Sequence, residues 1–199
     1  MTRLGVVVVT GLSGAGKSTA LRVFEDLGYF CVDNLPAALV PDFAAMCAKS
    51  ESIQRVALGM DVRVRALQQD VGEALSALSG EGYSLEVIFL DATDEVLLRR
   101  YAETRRPHPL APGGDVPAGI RAEREVLAPV RARADLVVDT TMHNPHSLRR
   151  VLTDHIARSA VRPAAMMLRF VSFGYKHGVP ADVDLVLDTR FLPNPYFVP

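Results

Sequence analysis

Residues 11–19 read Gly11-Leu12-Ser13-Gly14-Ala15-Gly16-Lys17-Ser18-Thr19. They match the pattern G-x-x-x-x-G-K-[ST] in full and follow a β-branched run, Leu4–Val9, of the kind found in buried parallel strands. Apolar residues at helical spacing come next, so the segment is predicted to join a strand to a helix N-terminus. Glycines let backbone N–H groups turn toward a phosphate, whose negative charge the helix dipole favours. The sequence therefore predicts a phosphate-binding P-loop.

Within this P-loop we expect every residue from Gly11 to Thr19 to border a bound nucleotide, and two side chains to act on it. Lys17 is predicted to hold the β- and γ-phosphates of a nucleoside triphosphate, and the Ser18 hydroxyl to bind Mg²⁺. The alternative is a glycine-rich turn that carries a lysine by chance. The agreement between the pattern and its strand-to-helix context argues against that alternative.

The rest of the chain alternates between strand and helix patterns, which predicts an α/β fold of the P-loop NTPase, kinase-like type, with a wound parallel sheet and helices on both faces. Further strands are predicted over 29–33, 56–62, 85–90 and 136–138, and further helices up to Ala48 and over 66–78, 94–104 and 145–159. The alternation stops near Arg162. Residues 1–160 are therefore predicted to form a nucleotide-binding domain, and residues 161–199 the start of an incomplete second α/β domain.

Composition excludes several classes of protein. The 199 residues carry 22 basic and 23 acidic side chains, a net charge of −1, which argues against a polybasic nucleic-acid arm. Hydrophobic residues make up 49% of the chain, which is too many for a disordered protein, and the apolar start is too short to cross a bilayer. Only two cysteines, with no secretory signal expected, fit a reducing compartment. We therefore expect a cytoplasmic protein that does not use a membrane.

Two acids come at the ends of predicted strands, where ligands of wound sheets gather. Asp91 could meet Mg²⁺ as a second metal-binding residue beside Ser18, or it could cap the helix that follows it. Asp33 ends the second strand, which we expect to lie beside the P-loop strand. It could orient an acceptor hydroxyl or a metal-bound water, or it could form the turn that leads into Pro36. Because no glutamate follows Asp91, hydrolysis is predicted to be slow.

Four arginines lie between residues 99 and 106 and precede a stretch rich in proline and glycine: Arg99, Arg100, Arg105 and Arg106. We predict a mobile lid in which Arg105 and Arg106 act on the phosphates and offset the charge that develops during transfer. The alternative is a solvated helix face, on which Arg99 pairs with Glu103 four residues later.

Five motifs occur in order along the chain: the P-loop, Val32-Asp33-Asn34-Leu35-Pro36, Phe89-Leu90-Asp91-Ala92, Thr104-Arg105-Arg106-Pro107-His108-Pro109-Leu110 and Ser172-Phe173-Gly174-Tyr175-Lys176-His177-Gly178. Together they closely resemble the RapZ/YvcJ family of bacterial nucleotide-binding proteins, over essentially the whole chain. The resemblance implies a protein that binds ATP and GTP and hydrolyses them slowly through an N-terminal kinase-like domain. It also implies that the motif at the end of the third strand, here Asp61-Val62-Arg63-Val64, contributes to GTP binding.

The better-studied enterobacterial members of that family are adaptors that bind small regulatory RNAs and present them to an endoribonuclease, and that sense glucosamine-6-phosphate. The resemblance thus implies RNA and an endoribonuclease as partners, through a C-terminal domain of which this chain resembles only the opening third. We also expect a homo-oligomer. Two alternatives remain. One is a small-molecule kinase whose acceptor Asp33 orients, and the other is a nucleic-acid adaptor that contacts its ligand through Arg169, Lys176, His177 and Arg190.

Overall fold

The computed structural model describes residues 3–60, 68–104, 107–111, 113–159, 170–179 and 183–188. The chain divides into two units, Met1–Pro163 and Ala164–Pro199. Several residues singled out above lie outside the described ranges: Asp61, Val62, Arg63, Val64, Arg105, Arg106, Arg169 and Arg190.

The first unit alternates strands and helices. Its strands are β1 (Gly5–Gly11), β2 (Phe30–Val32), β3 (Arg55–Gly59), β4 (Ser84–Asp91) and β5 (Leu136–Asp139). Its helices are α1 (Lys17–Asp26), α2 (Val40–Ala48), α3 (Gln68–Gly80), α4 (Asp94–Thr104), α5 (Val116–Ala132) and α6 (Pro145–Ser159). The described part of the second unit contains a 3-10 turn, Tyr175–His177. Among the helices that the structure describes, none is long and apolar enough to cross a membrane.

The five strands form one sheet in the order β2-β3-β1-β4-β5, and every neighbouring pair is parallel. This confirms the predicted wound α/β fold. The expected position of β2 is wrong, because β3 lies between β2 and the P-loop strand. β1 pairs with β3 on one side, Val9 opposite Gly59, and with β4 on the other, Gly11 opposite Leu90.

Side chains of β1 alternate between two hydrophobic cores, one on each face of the sheet. Val7 and Val9 belong to the core that contains residues of α1, α5 and α6. Val6 and Val8 belong to the core that contains residues of α2 and α3. Because successive residues of a strand point to opposite faces, a continuous apolar run is what a strand covered on both sides requires. The run thus places β1 at the centre of the sheet.

The sequence interpretation misses α5, a helix of 17 residues. Its prolines and its glycine look like loop residues, but Pro117 lies in the first turn, where a backbone N–H has no helical partner to lose. Asp115 caps this end by accepting a hydrogen bond from the Ala118 N–H at 2.9 Å. The helical spacing of Ile120 and Leu127, with Glu123 between them on the same buried face, is the signal that predicts the helix.

Gly11 closes β1 at a point where only glycine fits. Its φ is 131°, and a Cβ at this position would lie 2.1 Å from the carbonyl oxygen of Leu90. Both the left-handed backbone and the close pairing with β4 therefore exclude a side chain.

We predict that Gly11→Ala lowers the free energy of unfolding in urea by at least about 2 kcal/mol, because the backbone strain and the displacement of β4 add together. Gly82→Ala is the matched control, since Gly82 also has a positive φ, 78°, but no atom within 4 Å of the added Cβ. Gly82→Ala should lower the free energy of unfolding by only about 1 kcal/mol. Equal losses in the two variants would contradict close packing against Leu90 as the cause.

Candidate functional site

The P-loop leaves β1 at Gly11 and enters α1 at Lys17, as the sequence predicts. Gly16 precedes the helix with a φ of 105° and has no side chain that could cap the first turn. The N-terminus of α1 is therefore open to an anion on its backbone N–H groups.

A cavity of about 750 Å³ lies at this loop, a size that suits a small-molecule ligand. Residues 13–19 line it together with residues from three other parts of the chain. These are Asp33, Asn34, Arg100, Tyr101, Glu103, Thr104, Pro107, Pro109, Thr140, His143, Asn144, Pro145 and Leu148. Gly11 and Leu12, predicted among the nucleotide contacts, do not line the cavity, and Leu12 is fully buried in the core.

Lys17 and Ser18 lie together on the cavity wall. The Lys17 ammonium donates a hydrogen bond to the Gly11 carbonyl at 2.7 Å. This bond joins the two ends of the loop and holds the positive charge of Lys17 in position. The Ser18 hydroxyl fits Mg²⁺, because magnesium at nucleotide sites uses few protein ligands and takes the others from phosphates and water. The described residues contain no cluster of three or more histidine, cysteine or acidic side chains that would hold a metal ion independently.

Arg100 and Thr140 hold the carbonyl groups of the P-loop. Arg100, on α4, donates to the Gly14 carbonyl at 2.9 Å and to the Thr140 carbonyl at 2.8 Å. The buried hydroxyl of Thr140 lies 2.9 Å from the Ala15 carbonyl. Burial lowers the pKa of the Arg100 guanidinium, which nevertheless remains charged. Arg100 is therefore part of the fixed wall of the site, which corrects its assignment to a mobile lid.

Asp91 does not line the cavity, and arginines from α5 occupy its carboxylate. Arg124 donates to Oδ1 at 2.8 Å and Arg131 to Oδ2 at 3.3 Å, while Oδ1 also accepts from the Ala92 N–H. Burial disfavours the charge on Arg124, yet its hydrogen bonds to Asp94 and Asp91 raise its pKa. None of these contacts involves an N–H of the first turn of α4, so they support neither the helix cap nor the metal role weighed for Asp91.

Asp33 lines the cavity although β2 is an edge strand. Its Oδ1 accepts a hydrogen bond from the Asn34 N–H at 2.9 Å, and Asn34 has a positive φ of 56°. Gly59 allows the carboxylate to approach, since a Cβ there would lie 2.5 Å from Oδ1. The acid therefore forms a turn and also borders the space above the P-loop.

Ser13 lines the cavity, but its polar groups point away from it. Its main-chain N–H donates to Oε2 of Glu123 at 2.9 Å, and its hydroxyl donates to Oε1 at 2.7 Å. The sequence interpretation does not include Glu123, because it lies 110 residues away on the helix that the prolines conceal.

Comparisons with known proteins agree with this geometry. The chain matches the model of the RapZ-like N-terminal domain over residues 4–160 and that of the RapZ C-terminal domain over residues 166–199. The chain belongs to the RapZ-like family. This confirms the resemblance inferred from the five motifs.

Two relatives of this RapZ-like chain carry the name nucleotide-binding protein. The one from Sorangium cellulosum is 53% identical over 197 residues, which cover 97% of this chain and 55% of the relative. The one from Myxococcus xanthus is 49% identical over 195 residues, which cover 98% of this chain and 67% of the relative. The chain thus spans between about half and two thirds of the length of these relatives.

Solved structures support the kinase-like fold. Shikimate kinase from Acinetobacter baumannii, in complex with shikimate, superposes with a TM-score of 0.54 at 18% identity, covering 81% of this chain and 97% of the kinase. A gluconokinase from Sinorhizobium meliloti superposes with a TM-score of 0.52 at 19% identity, covering 80% of this chain and 95% of the gluconokinase. At these identities the similarity concerns the fold alone.

We predict that Arg100→Ala weakens the affinity of the chain for magnesium nucleotide by about tenfold, because the Gly14 carbonyl loses a charged donor and the loop loses its fixed shape. Isothermal titration calorimetry with Mg-ATP and Mg-GTP measures the change. The control is Arg99→Ala, which removes an exposed arginine next to it on α4. Equal effects of the two substitutions would show that general positive charge, rather than the contact with the loop, is responsible.

Proposed function

We propose that this RapZ-like chain binds ATP and GTP with Mg²⁺ in the cavity at the P-loop and hydrolyses them slowly, as a nucleotide-dependent regulatory protein. One observation carries the proposal. Lys17, Ser18 and the side-chain-uncapped N-terminus of α1 border one 750 Å³ cavity, so a lysine charge, a hydroxyl ligand and backbone N–H groups face the same space. This combination binds the phosphates of a nucleotide.

Each of these groups has a proposed role. Lys17 neutralises charge on the β- and γ-phosphates, and the N–H groups of Gly14, Gly16 and Ser18 donate to phosphate oxygens. The Ala15 N–H instead donates to the Leu12 carbonyl at 2.9 Å. Ser18 would hold Mg²⁺, which when bound offsets charge between the phosphoryl oxygens. We keep Asp61, Arg63 and their neighbours Val62 and Val64 as proposed GTP contacts on the basis of the family resemblance.

The proposal of slow turnover rests on Asp91, which is not among the acids that line the cavity. Among the described residues that line it, the acidic ones are Asp33 and Glu103. Asp91 has its carboxylate paired with arginines, and no glutamate follows it to activate water. We retain Arg105 and Arg106 as proposed phosphate contacts that act during hydrolysis.

A kinase is the second candidate, and the position of Asp33 favours it. Asp33 lines the same cavity as Lys17, which supports the proposal that its carboxylate orients an acceptor hydroxyl toward the γ-phosphate of the nucleotide. The acceptor would be a small hydroxylated molecule.

RNA binding, presentation to an endoribonuclease, a cytoplasmic location and self-association are further proposals. They rest on the family and on its longer members rather than on residues of this site. The match of residues 166–199 to the model of the RapZ C-terminal domain supports these proposals.

We predict that Lys17→Ala abolishes measurable binding of Mg-ATP and Mg-GTP in calorimetry while the unfolding transition stays close to that of the unsubstituted chain, because the lysine faces the cavity rather than the core. Lys49→Ala, at an exposed lysine after α2, is the control and should bind normally. Unchanged affinity of the Lys17 variant would refute the P-loop assignment.

We also predict turnover well below the roughly 10 s⁻¹ typical of enzymes. Incubation with γ-labelled ATP or GTP and a pool of metabolites separates the two candidate functions. Label that appears only in free phosphate supports hydrolysis, whereas label in a metabolite, lost on Asp33→Asn, supports the kinase.

A further inference from the structure

A single buried carboxylate links the P-loop to another part of the cavity wall. Glu123, on α5, is fully buried, and both of its oxygens accept hydrogen bonds from Ser13 of the P-loop. Burying a carboxylate costs free energy unless its oxygens are hydrogen-bonded. The arrangement also stabilises the loop, because a buried N–H without an acceptor is unfavourable and the Ser13 N–H finds its acceptor on the side away from the cavity.

The third member of this group is His108, which is 1% exposed. Its Nδ1 accepts from the Leu110 N–H at 3.2 Å, so the ring proton belongs on Nε2. Nε2 lies 3.3 Å from Oε2 of Glu123, without the alignment of a hydrogen bond, so the contact is electrostatic. The neighbours of His108 in sequence, Pro107 and Pro109, line the cavity.

The space around His108 is closely fitted. A Cβ at Gly119 of α5 would lie 2.4 Å from its Nδ1, and the ring packs on Tyr101, centroid to centroid 5.0 Å. The histidine is thus inserted between α4 and α5 with its Nε2 next to Glu123. It holds the segment 107–111 by its one buried side chain.

We propose that Glu123 is a positioning residue for nucleotide binding, and that His108 keeps its carboxylate in place. Glu123 anchors Ser13 so that the N–H groups of Gly14 and Gly16 stay turned toward the phosphates. Through His108 the same carboxylate fixes the wall formed by Pro107 and Pro109. The proposal rests on the proposed function, because it concerns the affinity of this cavity for nucleotide, and it assigns that affinity to residues that do not touch the ligand.

The test is calorimetric titration of the chain with Mg-ATP and Mg-GTP, with thermal unfolding as the check of the fold. Glu123→Gln keeps the volume but replaces two charged acceptors by one neutral carbonyl, and the Ser13 hydroxyl must then turn round to accept from the new NH₂ group. It should weaken both affinities by about tenfold. Glu125→Gln, at an exposed glutamate of the same helix, is the matched control and should bind as the unsubstituted chain does.

Two further variants keep the test decisive if Glu123→Gln does not fold. Ser13→Ala removes only the hydroxyl donor, and it should weaken binding about threefold. His108→Leu removes the N–H that faces Glu123, whereas His108→Gln keeps a donor there and should recover part of the lost affinity. The double variant with Ser13→Ala and Glu123→Gln should bind no more weakly than Glu123→Gln alone, because the two substitutions act on the same contact between Ser13 and Glu123.

The outcomes distinguish this inference from the proposed function. If the unsubstituted chain and Glu125→Gln bind no nucleotide, the proposed function fails and the inference with it. If they bind, and the folded Glu123 and Ser13 variants bind equally well, only the positioning role is overturned. If Glu123→Gln binds nucleotide more weakly but His108→Leu and His108→Gln bind it with equal affinity, His108 does not keep the Glu123 carboxylate in place.

Discussion

A P-loop must satisfy two sets of polar groups, and this requirement organises the structure. Backbone N–H groups that face the cavity are available to bind phosphate. The buried N–H and C=O groups on the other side of the loop need hydrogen-bond partners within the protein. Three separate elements supply them: α5 provides Glu123 for the Ser13 N–H, α4 provides Arg100 for the Gly14 carbonyl, and the end of β5 provides Thr140 for the Ala15 carbonyl. The loop is therefore held in shape by side chains from two helices and from the residue that follows β5.

The partners match the loop groups in chemistry. A carboxylate meets N–H and O–H donors, whereas a guanidinium and a hydroxyl meet carbonyl oxygens, and hydrogen bonds that involve a charged group are the stronger ones. Arg100 and Thr140 also bond to each other, so β5, α4 and the loop share one network. The cavity wall is built by the same residues, since Arg100, Thr140 and Ser13 all line it. A change at any of these supports is thus a change in the site.

The sequence predicts those parts of this arrangement that depend on neighbouring residues of the chain. It does not predict the contacts between residues that are far apart in the chain. The P-loop, the buried run of β1 and the helices α4 and α6 follow from spacing over ten to fifteen residues, and the structure confirms them. The order of the strands depends on crossovers that no local pattern encodes, so the position of β2 is predicted wrongly. The partner of Ser13 is hidden because Pro117 and Gly119 disguise α5, although Gly119 is required by the His108 ring rather than by a loop.

The contacts of Asp91 show what its motif position alone does not predict. Its place after an apolar strand is that of a metal-binding acid, and the sheet does put β4 next to the P-loop strand. Two arginines of α5 neutralise it, and the bond of Arg124 to Asp94 joins the start of α4 to the same cluster. The charge that would attract a cation is used to hold α5, the helix that also carries Glu123. In this chain α5 thus pairs the Asp91 carboxylate with arginines and supplies a second carboxylate, Glu123, to the P-loop.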